Sequence, residues 1–342
     1  MIIARAFALL LLLDCVYPVL VSGAEKDTPR RPNIVFIMTD QHRWDCLGAN
    51  GNRQIRTPHL DRLARTGANF THAFVNAPVC VPSRASFFTG RYPHSHKNRV
   101  NYTPLNRSEV LMQARLREAG YSTAAIGKLH LHPPTVQEAK RTGFDHVELH
   151  DAVRSLDPYS DYIAWRKERD PTAKNIYHRA LAKNIPAGKN PFRQAINEKF
   201  TETTWVGERT RHYIRTLSED EKPFFIFSSF WKPHSPFEVP APYDSLYDDM
   251  TIRLPVERTL QDIRLLPPPL RLLILRGRPQ FNMDRERLQW IYRSYYGAIS
   301  HIDREVGRIM AALKEAGKRM SVKGFRPGKV PPHVVEKMAG KD

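Results

Sequence analysis

The chain has 342 residues, 41% of them hydrophobic, enough for one large domain or two of ordinary size. A chain this long buries a substantial core, and three cysteines build no disulfide framework, so a stapled miniprotein is excluded. Lys and Arg total 53 against 35 Asp and Glu, a net charge of +18, which is too apolar a setting for a disordered polycation yet basic enough to attract polyanions.

Residues 1–24 read as an export signal. Arg5 supplies the positive start, residues 6–13 the apolar run, and Ser22-Gly23-Ala24 the small residues of a cleavage site. Asp14 interrupts the run, and no other stretch reaches about 18 uncharged apolar residues, so no stable membrane anchor is expected. Cleavage after Ala24 is expected to leave a periplasmic or secreted chain without Cys15. Cys46 and Cys80 then share an oxidising compartment, where one disulfide is possible on count alone. Residues 25–31 form a linker.

Beyond it strands and helices alternate. Residues 33–38 are a nearly continuous apolar run, as in a strand buried on both faces. Pro58 opens a helix capped by Thr57 and ended by Gly67, with Leu60, Leu63 and Ala64 on one face. A helical pattern at 108–119 feeds a strand at 121–126, and another at 198–217 precedes a strand at 224–230. The longest helix keeps Leu288, Ile291, Tyr295, Ile299, Ile302, Val306, Ile309 and Leu313 on one face and is expected to stop at Gly317. Residues 151–195 and 235–285 read as irregular insertions. The alternation predicts an α/β domain over residues 32–317, a mostly parallel sheet flanked by helices. Residues 318–342 carry seven Lys and Arg against two acids, with three prolines, a composition expected of a disordered tail.

In such sheets chemistry collects at the carboxyl ends of strands. The first strand runs into Asp40-Gln41, the second into Gly127-Lys128-Leu129-His130, and the third into Trp231-Lys232-Pro233-His234. Cys80-Val81-Pro82-Ser83-Arg84 opens a helix, whose free N–H groups are expected to favour an anion or an oxyanion-like nucleophile. A thiol there is activated, which leaves an unmodified Cys nucleophile as one chemical reading and a buried or disulfide-bonded Cys as another. Asp40 and Gln41 offer hard oxygen ligands suited to Ca²⁺ or Mg²⁺, although Asp40 by itself equally suits a turn cap. Cys46 reads as a small buried apolar residue.

Taken together, these motifs resemble the sulfatases of the alkaline phosphatase superfamily over about residues 31–317. The run from Cys80 to Arg84, followed by Ala85-Ser86-Phe87-Phe88-Thr89-Gly90, resembles the sulfatase signature, and the other three motifs match in order. The resemblance implies an alkaline-phosphatase-like fold and conversion of Cys80 to formylglycine by a formylglycine-generating or other sulfatase-maturing enzyme. It implies a site in which Asp40, Gln41 and the modified Cys80 hold Ca²⁺ or Mg²⁺ and Arg84 orients the formylglycine. Lys128 and His130 would contact sulfate, and His234 would protonate the leaving oxygen or bind sulfate beside Lys232. The implied substrate is a sulfated small molecule or carbohydrate. Two further metal ligands are implied on a strand after the long helix, but residues 318–342 offer no apolar strand leading into such a pair. The fold is therefore expected to be incomplete on its C-terminal side, and the chain weakly active or inactive. Rival readings are a phosphonate or phosphate ester hydrolase of the same superfamily and a secreted, non-catalytic polyanion-binding remnant. Nucleic-acid binding is not expected, because no basic motif is interleaved with aromatics.

Overall fold

The computed structural model describes residues 31–151, 160–170, 190–220, 222–254, 264–268, 271 and 285–319. The expected export signal, all of the linker but Arg31, much of both insertions and the tail beyond Arg319 lie outside these residues. Strands β1 (Ile34–Asp40), β2 (Ser122–Gly127), β3 (His146–Leu149) and β4 (Phe224–Pro233) form one sheet in the order β1-β4-β2-β3. Every pairing is parallel, as the alternation predicts. Around the sheet lie α1 (Pro58–Thr66), α2 (Cys80–Thr89), α3 (Pro93–His96), α4 (Met112–Glu118), α5 (Val136–Arg141), α6 (Asp161–Arg169), α7 (Glu202–Leu217) and α8 (Arg285–Arg319).

Alternation along β4 builds two apolar layers, because successive side chains point to opposite faces. Phe224, Ile226 and Phe230 meet Trp205, Val206 and Ile214 of α7 and Ile302, Val306 and Ile309 of α8. Phe225 and Phe227 meet Phe88 of α2, Ala139 of α5 and Phe144 on the other face. The sheet is thus sandwiched between helices, and its carboxyl ends are the part left open to polar chemistry.

Several expectations change. β1 reads as buried on both faces, yet residues 34–39 are half-buried, because among the described residues β1 has a strand on one side only. β1 and β4 each run further than expected and carry Asp40 and Lys232-Pro233 on the strands themselves. The helix expected at 108–119 is confined to α4, and α8 passes through Gly317 to Arg319. β3 and α5, of four and six residues, are too short for a periodic signal. Cys46 and Cys80 are free, so the disulfide allowed by count does not form; Cys46 is buried as expected.

The cap of α1 also differs. Thr57 Oγ1 accepts the Gly48 N–H at 2.9 Å and donates to Asp61 Oδ1 at 3.0 Å, so it does not serve the helix. The open N–H groups of His59 and Leu60 donate instead to Asp303 Oδ1 of α8, at 3.0 and 2.8 Å. The same helix holds the segment after β1: Tyr295 Oη donates to the Gln41 carbonyl at 2.6 Å and accepts the Arg43 N–H at 2.9 Å, while Ser300 Oγ donates to the Arg56 carbonyl at 2.8 Å. Asp303 is 2% exposed, so Asp303→Ala leaves two donors without partners away from water. We expect that variant to lose about 2–4 kcal/mol of stability in urea denaturation, with Asp303→Asn losing less.

Candidate active site

Three strand ends and the start of α2 converge on one carboxylate. Asp40, the last residue of β1, is 7% exposed, and its Oδ2 lies 2.7 Å from Lys128 Nζ and 3.2 Å from an Arg84 guanidinium nitrogen. Lys128 and Arg84 are 1% and 4% exposed. Burial works against ionising Asp40, but the charges of Lys128 and Arg84 and the Lys128 hydrogen bond outweigh it and hold the carboxyl below its usual range. Arg84 also donates to the Lys128 carbonyl and to Ser229 Oγ, joining α2 to the ends of β2 and β4. Lys128 Nζ stands 4.0 Å from the centre of the Trp231 ring, which takes a desolvated cation well.

Gly127 makes this closeness possible. Its φ is +89°, and a Cβ there would come 2.0 Å from the Ser229 carbonyl oxygen, so no other residue fits. The Lys128 N–H then donates to that carbonyl at 3.0 Å, locking β2 to β4 just where the lysine turns inward.

Cys80 is the first residue of α2 and half-buried. The N–H groups expected to be free beside it are largely committed: Val81 N–H donates to Asn101 Oδ1 at 3.0 Å, Pro82 has none, and Ser83 N–H donates to the Val79 carbonyl at 2.9 Å. Charge at this site therefore comes from side chains more than from the helix end. An oxygen of Asp40, Cys80 Sγ and a ring nitrogen of His234 all lie within 4.8 Å of one another.

The two histidines are less cationic than the resemblance implies. Burial lowers the His234 pKa, and its Nδ1 lies against the Ser235 carbonyl. A carbonyl only accepts, so a neutral ring carries its proton on Nδ1 and presents Nε2 as the acceptor. His130, at φ +53°, directs its backbone N–H onto both Asp151 carboxylate oxygens at 2.9 Å. Burial, then Lys128 and Arg84, push its ring down to about 3, so it meets any sulfate as a neutral group. Lys232 Nζ donates to the Pro236 carbonyl, in the loop after β4. Gln41 is exposed at φ +58°, with its carbonyl fixed by Tyr295.

These residues fit one side of a hard-cation shell. One Asp40 oxygen is claimed by Lys128 and Arg84, which leaves the other beside Cys80 Sγ and a His234 ring nitrogen, a partial shell for a cation that takes about six to eight oxygens.

Residues missed by sequence reasoning support the motif residues. Asn101 stands in none of the site motifs of the sequence, Ser229 reads only as strand, and Asp151 lies just past the unforeseen β3. Glu202, the first residue of α7, accepts the Trp231 N–H at 3.1 Å, and burial raises its pKa to about 7 from an ordinary 4.5. Only the break in the apolar pattern of the sheet hints at these positions.

Two measurements follow from this geometry. Folded Glu202 keeps its proton where the unfolded chain has lost it, so its burial costs stability increasingly as pH rises from about 4.5 through 7. Glu202→Gln should flatten that slope in denaturation midpoints collected from pH 5 to 8. Asp40→Ala leaves two buried cations without a counter-charge and should cost about 3–5 kcal/mol, whereas adding Lys128→Met should recover part of the loss.

The family model described as Sulfatase matches residues 32–322. That of the bacterial trigger factor protein matches residues 306–342, most of which lie outside the described residues. An arylsulfatase of Clostridium perfringens is 32% identical over 312 residues, covering 84% of this chain and 60% of the relative. An ulvan-active sulfatase of Formosa agariphila is 31% identical over 238 residues, covering 67% and 41%. Among solved structures, the phosphonate monoester hydrolase of Agrobacterium radiobacter superposes with a TM-score of 0.68 at 26% identity, covering 84% of this chain and 60% of that one. The chain thus spans 60% or less of the length of these relatives. The match over residues 32–322, on a parallel sheet whose strand ends gather the motif residues, shows that the chain belongs to the sulfatase family, with an alkaline-phosphatase-like fold.

Proposed function

We propose that this chain carries the nucleophile side of a sulfate ester hydrolase that acts outside the cytoplasm, with Cys80 converted to formylglycine by a sulfatase-maturing enzyme. The observation that carries the reading is the buried Asp40–Lys128–Arg84 cluster beside Cys80 and His234. Two cations against one carboxylate leave an excess positive charge where water is scarce, the setting that stabilises a sulfuryl anion. Formylglycine hydrate would supply an oxygen nucleophile with a second hydroxyl for release of sulfate, and Asp40, Gln41 and position 80 would hold a divalent cation, Ca²⁺ or Mg²⁺, that would supply Lewis acidity there.

The chain's own residues do the rest. Arg84 and Lys128 offset charge on the sulfate oxygens, while the Trp231 face keeps the ammonium of Lys128 turned inward. His234, neutral at rest, accepts a proton at Nε2. Once an anionic ester stands beside it, its pKa rises, and the same nitrogen returns that proton to the departing alkoxide. Asp151 fixes the backbone that presents His130 as a neutral hydrogen-bonding group.

A carbohydrate sulfate is the substrate class we favour, on the ulvan-active relative and the basic charge. The phosphonate hydrolase with the 0.68 TM-score favours a phosphorus ester as the second reading. The full chain, co-expressed with a maturing enzyme, should show Cys80 as formylglycine by mass spectrometry and turn over 4-nitrophenyl sulfate faster than an aryl phosphonate ester when Ca²⁺ is added. Cys80→Ala should abolish turnover, and Lys128→Ala should lower kcat/KM by about 10²–10³. An unmodified Cys80 with no turnover would replace the hydrolase by the non-catalytic polyanion binder.

A further inference from the structure

A cavity of about 770 Å³ opens beside the segment that leaves the site, walled by Arg43, Asp45, residues 50–54, Arg253 and Tyr292 of α8. Three arginines face it. Arg43 is matched by Asp45, through Nε at 2.9 Å and a terminal nitrogen at 2.7 Å, so that pair is neutral. Among the described residues, Arg53 and Arg253 have no carboxylate within ion-pair distance, and both are exposed.

Their placement is built rather than incidental. Gln54 donates from Nε2 to the Thr251 carbonyl and accepts the Arg253 N–H at Oε1, both at 2.8 Å, so the two arginine-bearing segments are stitched side by side. Asn52 ties the same wall to α8 through Tyr296 Oη at 2.8 Å and to the Asp45 carbonyl at 2.9 Å. Arg43 is two residues from Gln41, so the cavity begins within about 7 Å of the candidate site along the backbone.

We propose that this cavity is a second anion subsite, in which the guanidinium groups of Arg53 and Arg253 take an acidic group, a sulfate or a uronate carboxylate, on a sugar beyond the one being hydrolysed. Guanidinium suits both anions, because its planar donors pair with two oxygens at once. Tyr292 offers a half-buried ring against the sugar, and the openness of the wall fits an extended polyanion rather than an enclosed ion. The subsite role rests on the hydrolase reading; the binding does not.

The test is calorimetric titration of the full chain with a sulfated tetrasaccharide, an unsulfated uronate oligosaccharide and a neutral one, repeated for the double variant Arg53→Gln/Arg253→Gln. We expect the variant to bind the sulfated tetrasaccharide about tenfold or more weakly, with a shallower salt dependence, and to turn over 4-nitrophenyl sulfate unchanged. A loss confined to the sulfated sugar assigns the subsite to sulfate, and an equal loss for the uronate assigns it to carboxylate. Unchanged affinity in the variant, or equal binding of the neutral sugar, overturns the proposal. Failure of Cys80 to be modified would remove the hydrolase reading and leave these titrations standing.

Discussion

The contact between Asp40 and its two cations organises the whole carboxyl end of the sheet. It joins the last residue of β1, the first residue after β2 and the second turn of α2 through a single oxygen. Three charges, each under a tenth exposed, are expensive to remove from water, and their mutual attraction recovers only part of that cost. Stability alone does not account for such a cluster. In the proposed reaction its excess positive charge is the part that an incoming anion neutralises.

The apolar layers below make the cluster possible. β4 runs as phenylalanine and isoleucine until Ser228 and Ser229, both fully buried, and past Phe230 the two layers give way to polar chemistry. Each serine is satisfied: Ser228 Oγ pairs with Thr210 Oγ1 at 2.7 Å, and Ser229 Oγ accepts from Arg84. Gly127 lets β2 close on this point. The same geometry that packs the sheet therefore sets how far Lys128 can lie from Asp40.

Legibility in the sequence followed the length of the signal. The long α8 and the apolar cores of β1, β2 and β4 stand out because many residues repeat one period, and the motif residues stand out because they follow those strands. β3 and α5 escape, being shorter than any period needs. The partners of the site escape for another reason: Asn101, Asp151 and Glu202 accept backbone N–H groups, which leaves no pattern along the chain. Charge states are the least legible, since it is burial, with Lys128 nearby, that pushes the His130 ring down to about 3 and lowers that of His234.

The hold of α8 on the segment after β1 has a consequence in time. Arg43 and Tyr295 are 252 residues apart, and the Asp303 contacts with His59 and Leu60 span nearly as far. At the usual pace of translation, about 5–20 residues per second, the stretch from Gln41 to Leu60 waits roughly 12–50 s for the helix that fastens it. Until α8 is made, the segment that leads away from Asp40 lacks the partners that fix the Gln41 carbonyl and satisfy the first turn of α1.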